Sequence, residues 1–548
     1  MEAPVHSNIL FELGIVLFFG FFAALIIRKL GQSVIIGYMV VGLLIGPNVL
    51  GLVHDTGFLT TLSELGVVLL MFFLGLEFSI NKFKRIKNSV FFIGTYEVIL
   101  NLAVGFILGT AFGLIFKERL FLAAIVALSS SGVVAKLLFE LRRTAAAESE
   151  ILMGVMVFED FFAVIILGVL SSLAASNSIA FWGIAGSIGT AVVFYAVFIL
   201  AGIFIMNRFT DLLLRIESQE LFTALMLGII LLIGSLAVKI GLASAAGAFL
   251  LGMIINSYDV EERLHRTVSA FKDIFLVIFF ISFGTLLNPA VIPEILWMIV
   301  IAVPVSVLAE ILLSSSAAFF SGFSSKSSVS IGTSMIARGE YSLIYASVGY
   351  SLHAISEPIY QFTGVYVFIM TLIAPIAMKN STRVKNTLSF IIPGFIKYGA
   401  KLVSVTMKPF LIPEETGVKA ERDYSFLIYF SLYLAVLVSV FVFKTIYFLI
   451  ALSIIGLLTV FILRKLFKKK IEQLEEQINY FDIHQGPYNL DTIVRFIANA
   501  FSALLAVVLL ASAAWTAGRP ITAVMLALFV AYMLGVCIYV YIKRPKNV

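Results

Sequence analysis

Charged residues are scarce in this chain of 548 residues. Asp, Glu, Lys and Arg make up 13% of it and hydrophobic residues 61%, whereas soluble domains carry roughly 25% and 45–50%. A soluble globular fold is therefore excluded. A membrane β-barrel would alternate apolar and polar residues in segments of about ten, but the apolar runs here are continuous over roughly 20 residues, enough to span a bilayer as a helix. The composition predicts an all-α polytopic membrane protein.

Residue types that serve other chemistries are also few. The single cysteine, Cys537, has no partner in the chain for a disulfide. The five histidines have no metal-ligand spacing, and neither a Walker A motif nor a glycine-rich strand-to-helix fingerprint occurs. These absences disfavour ATP-driven pumping, and we expect neither enzymatic activity nor a cofactor. Basic cytoplasmic loops account for the net charge of +6, so we expect membrane lipids and no nucleic acid as partners.

Windows of about 20 apolar residues predict about 17 spans in three domains. Thirteen spans fall within residues 1–378, a basic cytoplasmic linker occupies 379–423, and four more spans fall within 424–548. In the short loops before residue 330, those after odd-numbered spans carry 14 Lys and Arg and those after even-numbered spans carry 3. Because basic loops stay in the cytoplasm, the N-terminus is predicted outside and the C-terminus inside the cell membrane.

An internal repeat appears at a shift of 210 residues. Four residues recur at this shift, namely Lys29, Gly31, Gly37 and Gly42 as Lys239, Gly241, Gly247 and Gly252. The same shift moves the polar interruption Ser129–Gly132 onto Gly339–Ser342.

The two copies are predicted to have opposite topology. Repeat one covers about 8–175 and repeat two about 220–378, and a single linking helix at 180–206 makes the number of spans between their starts odd. Inverted repeats with helices broken at matching positions are typical of secondary transporters whose ion site lies near the bilayer midplane. This pattern indicates transport by alternating access.

Ionisable side chains inside a span are costly and indicate an ion pathway by default. Glu159 and Asp160 lie in GVMVFEDFFAVIILG with eight apolar residues or glycines on each side. Neighbours on a helix diverge by about 100°, so one carboxylate is predicted to line the pathway while the other pairs or faces a neighbouring helix. We take Asp160 as the carrier, holding either a proton or a monovalent cation, and Glu159 as its support. Ser129, Ser130 and Ser131 offer further oxygen ligands, and the alternative is an Asp held by interhelical hydrogen bonds.

A second group of charges lies on the twelfth predicted span, in SMIARGEYSLIYAS. Arg338 is expected to neutralise Glu340 or an acid on another helix, either beside the ion or as a structural ion pair that braces the crossing of two broken helices. Glu310, on the preceding span, is either a second titrating site or a partner of Arg338. The sequence leaves these alternatives open.

Five runs in this order resemble the Kef-type branch of the monovalent cation:proton antiporters: LSELGVVLLMFFLGLEFSINKFKR, ALSSSGVVAKLL, GVMVFEDFFAVIILG, IFFISFGTLLNP and MIARGEYSLI. The resemblance covers about residues 8–378. It implies 13 helices in two inverted repeats with two broken, crossing helices, a panel domain that forms a homodimer, and a core domain that moves like an elevator. It also implies that Asp160 is the carboxylate that binds ion and proton, with Glu159 beside it.

The chain departs from the family pattern at three places. Electrogenic relatives carry a lysine on the helix before the ARGE-like motif, where the nearest ionisable residue here is Glu310. Many relatives have a glutamate in the eighth helix where this chain has Val238. Residues 379–548 are read as the linker and four spans, so no nucleotide-binding regulatory domain is expected in this chain.

The predicted function is exchange of protons for Na⁺ or K⁺, with a role in pH homeostasis. One alternative is a sodium-coupled organic-anion symporter of a related inverted-repeat fold. Another is a channel or a non-transporting membrane scaffold, which the paired helix breaks and the central carboxylates disfavour.

Overall fold

The computed structural model describes residues 9–176 and 215–394, with gaps at 55, 78–79, 145, 240–243 and 256–260, together with isolated positions elsewhere. Regular structure in these residues is helical, and no strand occurs among them. The linking helix predicted at 180–206 and the four spans predicted within 424–548 lie outside the described residues, apart from isolated positions.

Fifteen α-helices and one short 3₁₀ helix occur in the described residues. In chain order the α-helices are α1 (Ile9–Lys29), α2 (Val34–Ile45), α3 (Thr56–Glu77), α4 (Ile80–Ala111), α5 (Phe116–Ala127), α6 (Ser131–Glu140), α7 (Ala147–Ser176), α8 (Gln219–Lys239), α9 (Ser244–Ile255), α10 (Glu261–Thr285), α11 (Ile292–Phe320), α12 (Ser325–Ser334), α13 (Glu340–Ser351), α14 (Glu357–Lys379) and α15 (Ser381–Ile391). The 3₁₀ helix, Pro289–Val291, precedes α11.

Eight helical segments of the described residues are long and apolar enough to cross a membrane, judged by length and composition. The predicted polytopic helical architecture is therefore confirmed. One of the eight segments, Phe116–Glu140, contains α5 and α6 together, and another, Arg266–Phe320, is 55 residues long and contains most of α10 and all of α11.

The same order of helices occurs twice at the shift seen in the sequence. The bounds of α1 and α8, and those of α2 and α9, differ by 210 residues at both ends, and α7 and α14 begin 210 residues apart. The pairs of half-helices α5/α6 and α12/α13 correspond within a few residues. Short apolar segments with matching interruptions therefore fold into matching helix boundaries.

The apolar run of the second span predicts a helix over residues 34–53, but the helix that forms there is shorter, so the predicted end at residue 53 was wrong. α2 ends at Ile45 because Pro47 disfavours the helical conformation of the residue before it, Gly46. The chain then turns back, and the amide of Gly51, which has a positive φ of 62°, donates to the Gly46 carbonyl over 2.9 Å. Glycine adopts this left-handed conformation without steric strain.

The chain divides into two compact units. Unit 1 comprises Met1–Lys84, Val104–Ile311 and Ile331–Ser381, and unit 2 comprises Arg85–Ala103, Leu312–Ser330 and Thr382–Val548. Both helix breaks, at 128–130 and at 335–339, belong to unit 1.

In unit 1 the two repeats make equivalent contacts with each other. α2 of the first repeat packs on α10 of the second, and α9 of the second packs on α3 of the first. Glycines permit both approaches, since a Cβ added at Gly42 would lie 3.0 Å from the Gly284 Cα and one at Gly75 would lie 3.0 Å from the Gly252 Cα. Small residues let membrane helices approach closely, and here they let helices of the two repeats pack against each other.

Candidate ion site

Two broken helices cross in unit 1, and a backbone hydrogen bond joins their breaks. The amide of Ser130, between α5 and α6, donates to the carbonyl of Ala337, between α12 and α13, over 2.8 Å. Ser130 also caps α6, because its hydroxyl accepts from the Val133 amide. A Cβ added at Gly339 would lie 2.6 Å from the Ser130 Cβ, so the crossing requires glycine at that position.

Arg338 holds the crossing together from the second break. Its side chain is fully buried, and its Nη2 lies 2.6 Å from Glu310 Oε2 on α11. The remaining donors satisfy carbonyls that the breaks leave without helical partners, those of Val126 at 2.9 Å, Met335 at 2.8 Å and Ile336 at 3.4 Å. The planar guanidinium offers five donors in a fixed geometry, which suits one side chain to bind both a carboxylate and carbonyls.

The structure therefore distinguishes between the partners that the sequence left open for Arg338. Its salt bridge is with Glu310, and both side chains are 0% exposed. Glu340 lies two residues along the chain at the start of α13, with one of its carboxylate oxygens, Oε1, buried.

Glu159 and Asp160, 2% and 3% exposed on α7, reach the two breaks separately. Glu159 Oε2 accepts hydrogen bonds from both the amide, over 3.1 Å, and the hydroxyl of Ser129 at the first break. Asp160 instead lies near the Glu340 carboxylate and the Tyr341 side chain, at the start of α13. The divergence of neighbouring helix positions thus directs one carboxylate to each break.

Several buried oxygens beside the crossing accept no hydrogen bond within the part of the chain that the structure describes. They are Glu159 Oε1, Glu340 Oε1 and Ser131 Oγ. A buried acceptor without a donor is costly, and a proton or a cation would satisfy it. Across the described ranges, no group of three or more His, Cys, Asp and Glu side chains has a metal-binding arrangement.

The predicted serines have different roles in the structure. Ser129 binds Glu159, whereas the Ser130 hydroxyl caps α6 and the Ser131 hydroxyl makes no hydrogen bond to any described residue. Together with Asp160 and Glu340 they lie at or beside the crossing.

Four polar residues at the site were given no role by reasoning from sequence, although two of them lie in the predicted interruption Gly339–Ser342. Tyr345 donates to the Ala163 carbonyl over 3.0 Å and Ser342 to the Ile125 carbonyl over 2.7 Å, while Tyr341 lies against Asp160. These three follow Glu340 in the run EYSLIY, whose polar positions were a usable signal. Thr371, which donates to the Arg338 carbonyl over 2.7 Å, is one polar residue in the apolar helix α14 and carries no such signal.

The chain is similar to proteins of known family. A family model described as "Sodium/hydrogen exchanger, transmembrane" matches residues 14–380. The chain is 31% identical over 390 residues to the K(+)/H(+) antiporter subunit KhtU of Bacillus subtilis (strain 168), an alignment that covers 70% of this chain and 96% of that protein. It is 28% identical over 357 residues to a Na(+)/H(+) antiporter of Enterococcus hirae, covering 65% of this chain and 93% of that protein.

Solved structures show the same architecture. The sodium proton antiporter MjNhaP1 from Methanocaldococcus jannaschii matches with a TM-score of 0.56 and 17% sequence identity, covering 70% of this chain and 97% of that one. At this identity the match establishes a shared fold.

Proposed function

The chain belongs to the sodium/hydrogen exchanger family, and from this premise we propose that it exchanges protons for Na⁺ or K⁺, with Asp160 as the carrier. The family is one of transporters, so the chain is not an enzyme. The resemblance to cation:proton antiporters, predicted from five motifs, is confirmed. The identity of the cation and the role of Asp160 are part of the proposal.

The observation that carries this proposal is the group of three carboxylates at the crossing: Glu159 and Asp160 are buried side chains, and Glu340 has one buried oxygen. Asp160 lies near both Glu159 and Glu340, whereas the charge of Arg338 is matched by Glu310 and its other donors by carbonyls. Carboxylates this close and this buried repel one another unless a positive charge is added. A proton or a monovalent cation supplies that charge.

Competition for Asp160 then couples the two ions. When a proton binds its carboxylate, the negative charge that attracts the cation is lost, and when a cation binds, the proton is displaced. Oxygens without donors on Glu159, Glu340 and Ser131 are available to complete the coordination of a hard cation, which prefers oxygen ligands. The cation therefore binds Asp160 only after the proton has left the carboxylate, and the proton binds only after the cation has left.

Alternating access requires the site to open to each side in turn. The repeated helix order at a shift of 210 residues, combined with the loop charges, supports two repeats of opposite topology, with the N-terminus outside. Inverted repeats provide two equivalent arrangements that open to opposite sides. We include in the proposal a homodimer in the cell membrane and a role in pH homeostasis.

The alternative of a sodium-coupled organic-anion symporter is not favoured. The relatives that match along most of their length are named as antiporters of protons and monovalent cations. A symporter would in addition need a site for the organic anion, whereas Asp160 lies near the carboxylates of Glu159 and Glu340, which would repel it.

Exchange by the reconstituted full chain tests this function. In proteoliposomes with an acidic lumen and an internal pH dye, external NaCl or KCl is expected to raise the lumenal pH, whereas choline chloride and empty liposomes give no response. Saturation with cation concentration distinguishes a carrier from a channel. Cation entry without proton counterflow, or Na⁺-dependent uptake of a labelled carboxylate, would contradict the proposal.

A further inference from the structure

Unit 2 contains a cavity that the ion site does not use. Its volume is about 500 Å³, within the roughly 300 to 1,000 Å³ of typical ligand sites. Its walls are formed by the last turns of α11, the start of α12, helix α15 and the described positions 392, 397, 400 and 401. Apolar, uncharged polar and basic side chains line it, including Phe319, Leu388, Ser315, Lys385, Lys397 and Lys401.

The charge around this cavity has one sign. Between residues 379 and 413 the sequence contains six Lys and Arg and no Asp or Glu. Three of these lysines, Lys385, Lys397 and Lys401, line the cavity. Lys397 donates one hydrogen bond to the Ser389 carbonyl, and an ammonium has three donors. The cavity therefore favours an anion.

A buried hydroxyl provides an independent indication of a ligand. Ser315, on α11, lines the cavity and is 8% exposed, and its Oγ has no hydrogen-bond partner in the described residues. A buried hydroxyl without a partner costs free energy. A polar ligand group in the cavity would satisfy it.

The position of the cavity indicates a ligand from the membrane. The predicted orientation puts the ends of α11 and α14 on the cytoplasmic side, and α15 follows α14 directly. The last two residues of α15, Phe390 and Ile391, are 91% and 66% exposed, while its polar positions include Arg383 and Lys385. A short helix with basic and exposed apolar residues is suited to the membrane surface, where lysines attract anionic lipid headgroups.

We propose that this cavity binds an anionic phospholipid of the cytoplasmic leaflet, with its phosphate at Lys385, Lys397 and Lys401 and its apolar part along Phe319 and Leu388. The shared chemistry is a phosphate group, which a soluble nucleotide or inorganic phosphate also offers. The apolar walls and the exposed end of α15 favour the lipid. The proposal does not depend on ion exchange.

Lipid binding by the purified full chain tests the proposal. Native mass spectrometry in detergent with added phosphatidylglycerol or phosphatidylcholine is expected to show preferential retention of phosphatidylglycerol. The triple variant K385Q/K397Q/K401Q is expected to weaken that binding about tenfold, since each lysine near an anionic surface contributes to attraction. The matched control K29Q/K239Q/K326Q removes the same charge outside the cavity and is expected to bind nearly as well as the unmodified chain.

A second variant tests the cavity without changing charge. Ser389→Trp inserts a large side chain at the cavity wall on α15 and is expected to weaken phosphatidylglycerol binding, whereas Asn386→Trp, exposed on the same helix and outside the cavity lining, is expected to leave it unchanged. Equal effects of the two triple variants, equal effects of the two Trp variants, or no preference for phosphatidylglycerol would overturn the proposal. Saturable binding of AMP or inorganic phosphate that depends on the three lysines, in place of lipid binding, would also overturn it.

Discussion

Replacing Asp160 with asparagine is expected to reduce proton-coupled cation exchange to the level of empty liposomes. Asparagine keeps the size of the side chain and one oxygen that can interact with Tyr341, but it neither binds and releases a proton nor provides a negative charge for the cation. The Asp160 side chain is 3% exposed, so folding must desolvate its carboxylate at a cost in free energy. Asparagine does not carry this cost, and the variant is expected to fold normally. Exchange is measured in proteoliposomes with an internal pH dye, at matched amounts of reconstituted protein.

The same substitution at an exposed position is the matched control. Asp273 lies on α10 with its side chain 66% exposed and pairs with Lys272 over 3.6 Å, so Asp273→Asn is expected to retain exchange. Glu159→Gln retains an acceptor for the Ser129 amide and hydroxyl and is expected to slow exchange without abolishing it. Normal exchange by the Asp160→Asn variant would exclude Asp160 as the carrier.

Replacing Arg338 with methionine is expected to destabilise the chain by about 3–5 kcal/mol, the cost of removing one partner of a buried ion pair. The variant removes the cation that pairs with the Glu310 carboxylate at a site that is 0% exposed. It also removes the donors to the carbonyls of Val126 and Met335. Thermal unfolding in detergent, followed by size-exclusion chromatography, measures the loss as a lower midpoint and a smaller monodisperse fraction.

Two further variants separate the ion pair from the carbonyl contacts. Arg338→Lys keeps the charge but loses the planar set of donors, and it is expected to give an intermediate loss of stability. Arg266→Met, at an exposed position on α10, is the matched control and is expected to change the midpoint little. If Arg338→Met unfolded at the same temperature as Arg266→Met, the bracing role of Arg338 would be wrong.

The sequence was sufficient to predict the helix breaks and the group of residues beside them. Ser129–Ser131 and Arg338–Glu340 are polar runs within long apolar stretches, and unwound backbone is tolerated at such depth only where protein or water satisfies it. The repeat added a second constraint, because a shift of 210 residues aligns the two polar runs. Both signals are local or periodic, which is why they are visible without coordinates.

Pairing between helices was not predictable from the sequence. The sequence left both Glu340 and Glu310 as possible partners of Arg338. The choice of Glu310 depends on how α11 packs beside the second break. Thr371 likewise reaches the Arg338 carbonyl only because α14 passes that point. Such contacts depend on the relative rotation of helices, which apolar periodicity fixes poorly when nearly every position is apolar.

The ends of helices that lie inside apolar runs were also not predictable from hydropathy. Hydropathy continues beyond Ile45, but the Gly46–Pro47 pair ends α2 eight residues before the predicted limit of the span. The backbone preference of a residue before proline outweighed apolar length at this position.

Proton release on cation binding tests the central claim most directly, because the claim is that one carboxylate holds either ion. The purified full chain, in weakly buffered detergent solution, is expected to release protons when NaCl or KCl is added, in a saturable manner, whereas choline chloride has no effect and the Asp160→Asn variant releases none. Cation binding by the unmodified chain, detected as a saturable rise in its unfolding temperature but without release of protons, would contradict the account.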